Sequence, residues 1–373
     1  MIPALDLSLL PPLAQGVLAE GADDKRRLVA ARGLLPGLKP ADIVTVLTAL
    51  TQGRPGEVAT TARATIAKLP PALLEGAVGA ELQPAAIDAL ARAHGARDEV
   101  LSRLLRMPAV ALDTVEWVAE HGSEPATELV ATNEERALAH PRLIELLYLN
   151  VNTRMSTADR LVELAVRHGI ELKGLAAWKE IARGVQGELI AEPTPVPLPE
   201  DELFRETHAL ALQIQSDEDD ADAYVEDDEG EERLEDRCVP IFKRLLQMNV
   251  SQKIRMAILG TREERMMLIR EHNRLIAGAA ATSPKMTEPE AVLISRNRGV
   301  DSEVLRVIGR TPEWLKSYMV KKNLVENPKT PQTVPQTLIV HLREADLKNL
   351  LKSKNVSAAI ALAAKRQLER RKQ

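Results

Sequence analysis

The chain has 373 residues, of which 45% are hydrophobic, 28% charged and only 2% aromatic, and its formal net charge is −5. It is long enough to bury one large core or two of ordinary size, packed by Leu, Ala, Val and Ile with few rings. The single cysteine, Cys238, excludes an internal disulfide framework and fits a reducing, cytoplasmic setting; no run of about 18 apolar residues suggests a membrane span.

Charge is distributed unevenly. Residues 1–189 hold 20 basic and 24 acidic side chains, residues 190–236 hold 2 and 18, and residues 237–373 hold 27 and 12. The order is near-neutral, acidic, then basic, and the net −16 of the middle block stands beside +15.

At the start, Met1 to Glu20 is apolar but is interrupted by Pro3, Pro11 and Pro12 and lacks a basic leader, so a signal peptide is not expected. Breaks at Leu34-Leu35-Pro36-Gly37 and at Gln52 to Gly56 leave the first 80 residues open as either repeats or a cap. Helices are expected from Pro84, with proline in the first turn, and from Asp98, with acid at the positive helix end. Further helices are expected over Leu112 to Glu120 and Glu128 to His140. Starts recur every 13 to 16 residues, too short a spacing for helices that stand alone, so they must stack.

The segment 190–236 opens with Pro193, Pro195, Pro197 and Pro199, which favour extended backbone. A short amphipathic helix follows at about 200–215. Leu203, Phe204, Leu210 and Ile214 mark it as a candidate docking helix. From Asp217 to Asp236 the run is too charged to bury itself and is expected to be disordered. An EF-hand register counted back from Gly230 puts Val225 at the first ligand position, which argues against calcium.

The third block is expected to be helical over 251–259, 262–270, 274–282, 287–296, 302–309, 312–325, 330–342, 345–352 and 357–371, several helices starting at a Ser, Thr or Asp cap. No alternating strand pattern with an Asn-Gly or Asp-Gly turn is found. Ser283-Pro284-Lys285 matches Asn327-Pro328-Lys329, 44 residues later. Thr132 to Arg136 matches Thr261 to Arg265, Arg142-Leu143-Ile144 matches Arg274-Leu275-Ile276, and Asn152 to Ser156 matches Ser283 to Thr287, at offsets of 129, 132 and 131. A unit of roughly 43 residues and an internal duplication are inferred.

The Asn327 to Pro331 turn, with Leu338 and Asn355-Val356-Ser357, resembles the turn of HEAT-like and leucine-rich-variant (armadillo-type) helical-repeat families. The likeness covers residues 240–373 and, more loosely, 80–175. It implies an all-α solenoid that holds other macromolecules; no catalytic residue carries over.

Lys316, Lys321, Lys322, Lys329, Lys348, Lys352, Lys354, Lys365 and Arg366 recur on successive predicted helices and form a candidate anion or nucleic-acid face. Set against this is an ordinary solvated surface, and scarce aromatics argue against single-strand stacking. Trp314 and Tyr318, at i and i+4, read as packing. No phosphate loop, nucleophile elbow, Cys-His pair or metal motif is found. The expectation is therefore an all-α protein of two HEAT-like repeat blocks, 1–189 and 237–373, separated by an acidic insertion. Its expected function is a non-catalytic scaffold for a protein partner, without cofactor or membrane, with nucleic-acid binding by the basic face as the alternative.

Overall fold

A computed structural model describes residues 2–53, 55–214, 223–226, 232–353 and 356–372. Among these the chain is all-α apart from one two-stranded hairpin. It divides into two compact units, 1–154 and 155–373, so the expected boundary at residue 189 falls inside the second.

The first unit contains α1 (Pro12–Leu18), α2 (Asp24–Ala31), α3 (Pro40–Gln52), α4 (Glu57–Ala67), α5 (Pro71–Val78), α6 (Pro84–Ala93), α7 (Asp98–Leu105), α8 (Leu112–His121), α9 (Glu124–Ala131), α10 (Glu134–Ala139) and α11 (Arg142–Leu149). Helices α1, α3, α5, α6 and α9 begin with proline in the first two positions, where no backbone donor is lost. Most helices pack on their second neighbours. One row runs α3, α5, α7, α9 and the other α4, α6, α8, α11. Buried alanines such as Ala62, Ala86, Ala91 and Ala119 let the rows approach closely. Between them Leu47, Ile87, Leu90, Leu101 and Leu104 are fully buried, each contributing about 1.5–3 kcal/mol by transfer from water.

The helix expected over 128–140 is two helices. Asn133 ends the first and starts the second, its side chain accepting from the Arg136 amide at 2.9 Å, so the capping residue outcompetes helix continuation.

The second unit contains α12 (Met155–Arg167), α13 (Trp178–Val185), α14 (Pro199–Ile214), β1 (Tyr224–Glu226), β2 (Glu232–Leu234), α15 (Val239–Leu245), α16 (Val250–Leu259), α17 (Arg262–Leu268), α18 (Arg274–Ala281), α19 (Glu288–Arg296), α20 (Ser302–Ile308), α21 (Tyr318–Glu326), α22 (Thr333–Leu338), α23 (Glu344–Lys352) and α24 (Ala358–Lys372). Two rows recur here: α13, α16, α18, α20 and α17, α19, α21, with α22 to α24 at the end. Capping boxes start three of these helices: Asn249 with Gln252, Thr261 with Glu264 and Thr287 with Glu290. The single helix expected over 312–325 is interrupted. Ser317 is extended, leaving a 3₁₀ turn at Trp314–Lys316 before α21.

One hydrogen-bonded turn recurs in both units. Asn150, Ser283 and Asn327 each follow a helix, and the side-chain oxygen of each accepts from the amide two residues on, at 2.9, 3.4 and 3.0 Å. Each then donates backward to the end of an earlier helix. Asn150 reaches the Ala119 and Gly122 carbonyls at 3.0 and 3.1 Å, Ser283 reaches Ile258 at 3.1 Å, and Asn327 reaches Ser295 and Asn297 at 3.0 and 2.7 Å. These carbonyls lie at helix ends, which lack intrahelical donors. The equivalence corrects the sequence register: Ser283 corresponds to Asn150, an offset of 133, rather than to Asn152.

The acidic segment also differs from expectation. Much of the run 217–236 lies outside the described residues, but Tyr224–Glu226 and Glu232–Leu234 pair antiparallel, with Val225 opposite Arg233. Tyr and Val favour strand, and the Arg270 guanidinium lies 3.7 Å from the Tyr224 ring centroid, anchoring the hairpin. Arg237 Nη1 donates to the Ile214 carbonyl at 2.6 Å, which ties the end of α14 to the residues that follow β2.

Helix α14 packs against α12, α15 and α16. Its buried face is Asp201, Phe204, Thr207, His208 and Ala211, whereas Leu203, Leu210 and Ile214 are only half-buried. The face is rotated from the apolar stripe because its polar members find partners. Asp201 accepts from Ser156 N and Leu198 N, both at 2.8 Å, and Phe204 lies under the Arg255 guanidinium.

Candidate binding cleft

The first unit presents a trough along the row α5, α7, α9. Its broadest-lined part is a cleft of about 610 Å³ between the end of α7 and the α9–α10 corner. Pro108 stops the chain just beyond α7, and Val110 N closes a turn on the Met107 carbonyl at 3.1 Å, which sets Arg106 and Met107 on the rim. On the other side, Thr132 Oγ1 donates to the Leu129 carbonyl at 2.8 Å and Asn133 caps α10, turning Arg136 and His140 toward the opening.

Leu105, Val115 and Val130, all buried, lie at the apolar base. The charged lining is Arg106 and Arg136, and no carboxylate lines the cleft. Among the described residues neither arginine makes an ion pair. Arg106, Met107 and Pro108 are shared with a second cleft of about 760 Å³, which in turn shares Val78 and Arg103 with a third of about 460 Å³. The three are one continuous trough. Its far end carries Glu75, Asp98 and Glu99 beside Arg97 and Arg103, so the cationic character is confined to the α9–α10 end.

The second unit has open clefts of about 790 Å³ between α14 and the α15–α16 corner and about 330 Å³ beside Trp314, and it also holds a buried polar network. Ser251 Oγ donates to Asp159 Oδ1, and Arg255, wholly buried, stacks over Phe204 at 5.1 Å. Burial pushes the Asp159 carboxyl up to about 7, against the opposing Ser251 hydrogen bond and Arg255 charge. His208 Nδ1 lies 3.4 Å from Glu264 Oε2, and Arg265 pairs with Glu290 at 2.8 Å. A serine beside a carboxylate has the ingredients of nucleophile activation, but Asp159, Ser251 and Arg255 are all buried, so substrate has no route to them in this conformation.

The predicted basic face is spread over several elements. Lys316 lies on the 3₁₀ turn, Lys321 and Lys322 on α21, Lys329 in the following turn, Lys348 and Lys352 on α23, and Lys365 and Arg366 on α24; Lys354 lies outside the described residues. Lys322 is bound to Asp346 at 3.0 Å and Lys348 to Glu344 at 2.6 Å. Tyr318 also donates to Asp346, and burial first, then this bond, pushes the phenol above its usual range. Lys316, Lys329, Lys352, Lys365 and Arg366 remain exposed.

No protein-family model matches the chain, and neither a curated protein nor a solved structure shows significant similarity to it. Among the described residues no group of three or more His, Cys, Asp or Glu side chains is placed to hold a metal ion, and no helix is long and apolar enough to cross a membrane. Sequence reasoning passed over Arg106 and Arg136. The available signals were an arginine two residues before Pro108 and the Thr132-Asn133 cap, read there only as a repeat match.

Proposed function

We propose that this protein is a non-catalytic, cytoplasmic helical-repeat scaffold that holds a protein partner along the trough of its first unit. The observation that carries this is the continuity of three clefts along one helix row, with arginines on the rim that have no carboxylate partner among the described residues. The alternating rows, tied by the recurrent Asn150, Ser283 and Asn327 turns, support reading the array as an α-solenoid of HEAT-like units. Helical-repeat surfaces of this sort bind by extended contact along the row.

A photo-crosslinking amino acid at Met107, compared with one at exposed Glu171, tests the reading in cells. The expected result is discrete protein adducts at Met107 that withstand high salt during recovery. Adducts of equal yield at Glu171, or nucleic acid alone at Met107, overturn it.

A second reading, nucleic-acid binding by the third block, rests on exposed Lys316, Lys329, Lys352, Lys365 and Arg366. The carboxylates on Lys322 and Lys348 subtract two charges from that face. Binding of this kind is steeply salt-dependent and engages the second unit rather than Met107, and this position separates it from the trough.

A further inference from the structure

We infer that the segment bound at the α9–α10 end of the trough is an extended, acidic polypeptide with a large apolar side chain between its carboxylates, a conclusion that rests on the protein-binding reading above. The base of the cleft at Leu105 and Val130 is apolar, and the rim beside Met107 is cationic through Arg106 and Arg136. An apolar side chain seated on that base brings neighbouring residues to the rim, where carboxylates meet guanidinium groups that make no ion pair among the described residues.

Three features select a polypeptide over other anions. The cleft opens into two more along the same row, which suits an extended chain better than a compact anionic metabolite. Toward the α5–α7 end, Glu75, Asp98 and Glu99 repel a continuous phosphate backbone. No Phe, Tyr or Trp lines the trough to stack bases. The charge change along the trough also sets direction: the acidic part of the bound segment lies toward α10.

A random dodecapeptide display library panned on the full chain tests this without presuming a sequence. Enriched peptides are made with a fluorescent label and titrated against the wild type, R106E/R136E and R106Q/R136Q. The expected result is enrichment of Asp or Glu around Leu, Ile, Met or Phe, with affinity falling at least tenfold in R106E/R136E and less in R106Q/R136Q. Half-molar salt on the wild type should weaken binding in the same direction, so the idea stays testable if a variant fails to fold. Enriched peptides that are neutral or basic yet crosslink at Met107 overturn the acidic class and leave the scaffold reading standing. No enrichment, or peptides that ignore both variants and do not crosslink at Met107, overturn both. Labelled oligothymidine that binds the wild type and is lost in R106E/R136E overturns both in favour of nucleic acid.

Discussion

Asn327 holds the end of α19 through Asn297: its Nδ2 donates to the Asn297 carbonyl at 2.7 Å and to the Ser295 carbonyl at 3.0 Å. Both acceptors belong to buried residues at the end of a helix, where the last carbonyls have no intrahelical donor. The turn therefore fixes the chain after α21 to the end of α19 through hydrogen bonds as well as apolar packing.

Replacing Asn327 by Ala removes one donor group from two buried carbonyls. Each orphaned group costs about 1–3 kcal/mol, so N327A is expected to lose about 2 kcal/mol or more in urea unfolding. Exposed Lys329, two residues on, gives the control: K329A should stay within about 0.5 kcal/mol. N150A should behave like N327A, since Asn150 makes the same pair of bonds to Ala119 and Gly122. Equal, small effects for all three variants sink the claim that this turn couples successive helices.

Gly260 supplies a second test of tight helix succession. A Cβ here would collide with the Met256 carbonyl and lie 2.7 Å from Glu264 Oε2, in the corner between α16 and α17. The glycine is needed for space, since its backbone angles suit any residue. G260A is expected to shift the midpoint of urea unfolding downward by the equivalent of about 2 kcal/mol, whereas G16A, which meets nothing within 4 Å, should not. A neutral G260A shows that the corner can open.

The all-α class and most helix limits in the third block were legible because capping residues punctuate an apolar rhythm there: Thr261-x-x-Glu264 and Thr287-x-x-Glu290 announce their helices before any fold is considered. What was illegible depended on partners distant in the chain. Asp201 and His208 join Phe204 on the buried face of α14 because Ser156 and Glu264 wait for them, whereas local hydrophobicity singled out Phe204 together with the half-buried Leu203, Leu210 and Ile214. The trough was hidden for a related reason. Arg106 and Arg136 are 30 residues apart, and only the stacking of α7 on α9 puts them on one rim.

The Arg265–Glu290 pair should be costly to halve. Both side chains are buried, Arg265 also donates to the Gly260 carbonyl at 2.7 Å, and Glu290 also accepts from Thr287 N at 2.6 Å. Removing one charge leaves the other stranded, a loss of about 3–5 kcal/mol. E290Q retains an acceptor for the cap yet strands Arg265, so it should destabilise strongly. R265M/E290Q should recover part of that loss in a double-mutant cycle. Additive effects show that the pair is not coupled.

Asp159 should make stability fall as pH rises. Its carboxyl titrates near 7 when folded against 3.8 for the ordinary group, with burial the main cause. Between these values the native state holds a proton that the unfolded state has released, so unfolding free energy from this group declines with rising pH and levels off above about 7. The groups facing it are Ser251 and Arg255, which oppose the shift, and Glu188 and Asp201, which add to it. D159N keeps a polar side chain beside Ser251 but removes the titration. The wild type minus D159N difference, measured by urea unfolding at pH 4.5 and 7.5, should therefore move against the wild type at the higher pH, on the order of 3 kcal/mol if the whole shift is expressed. A difference that is flat, or that moves in favour of the wild type, places the Asp159 carboxylate as an already ionised partner of Arg255.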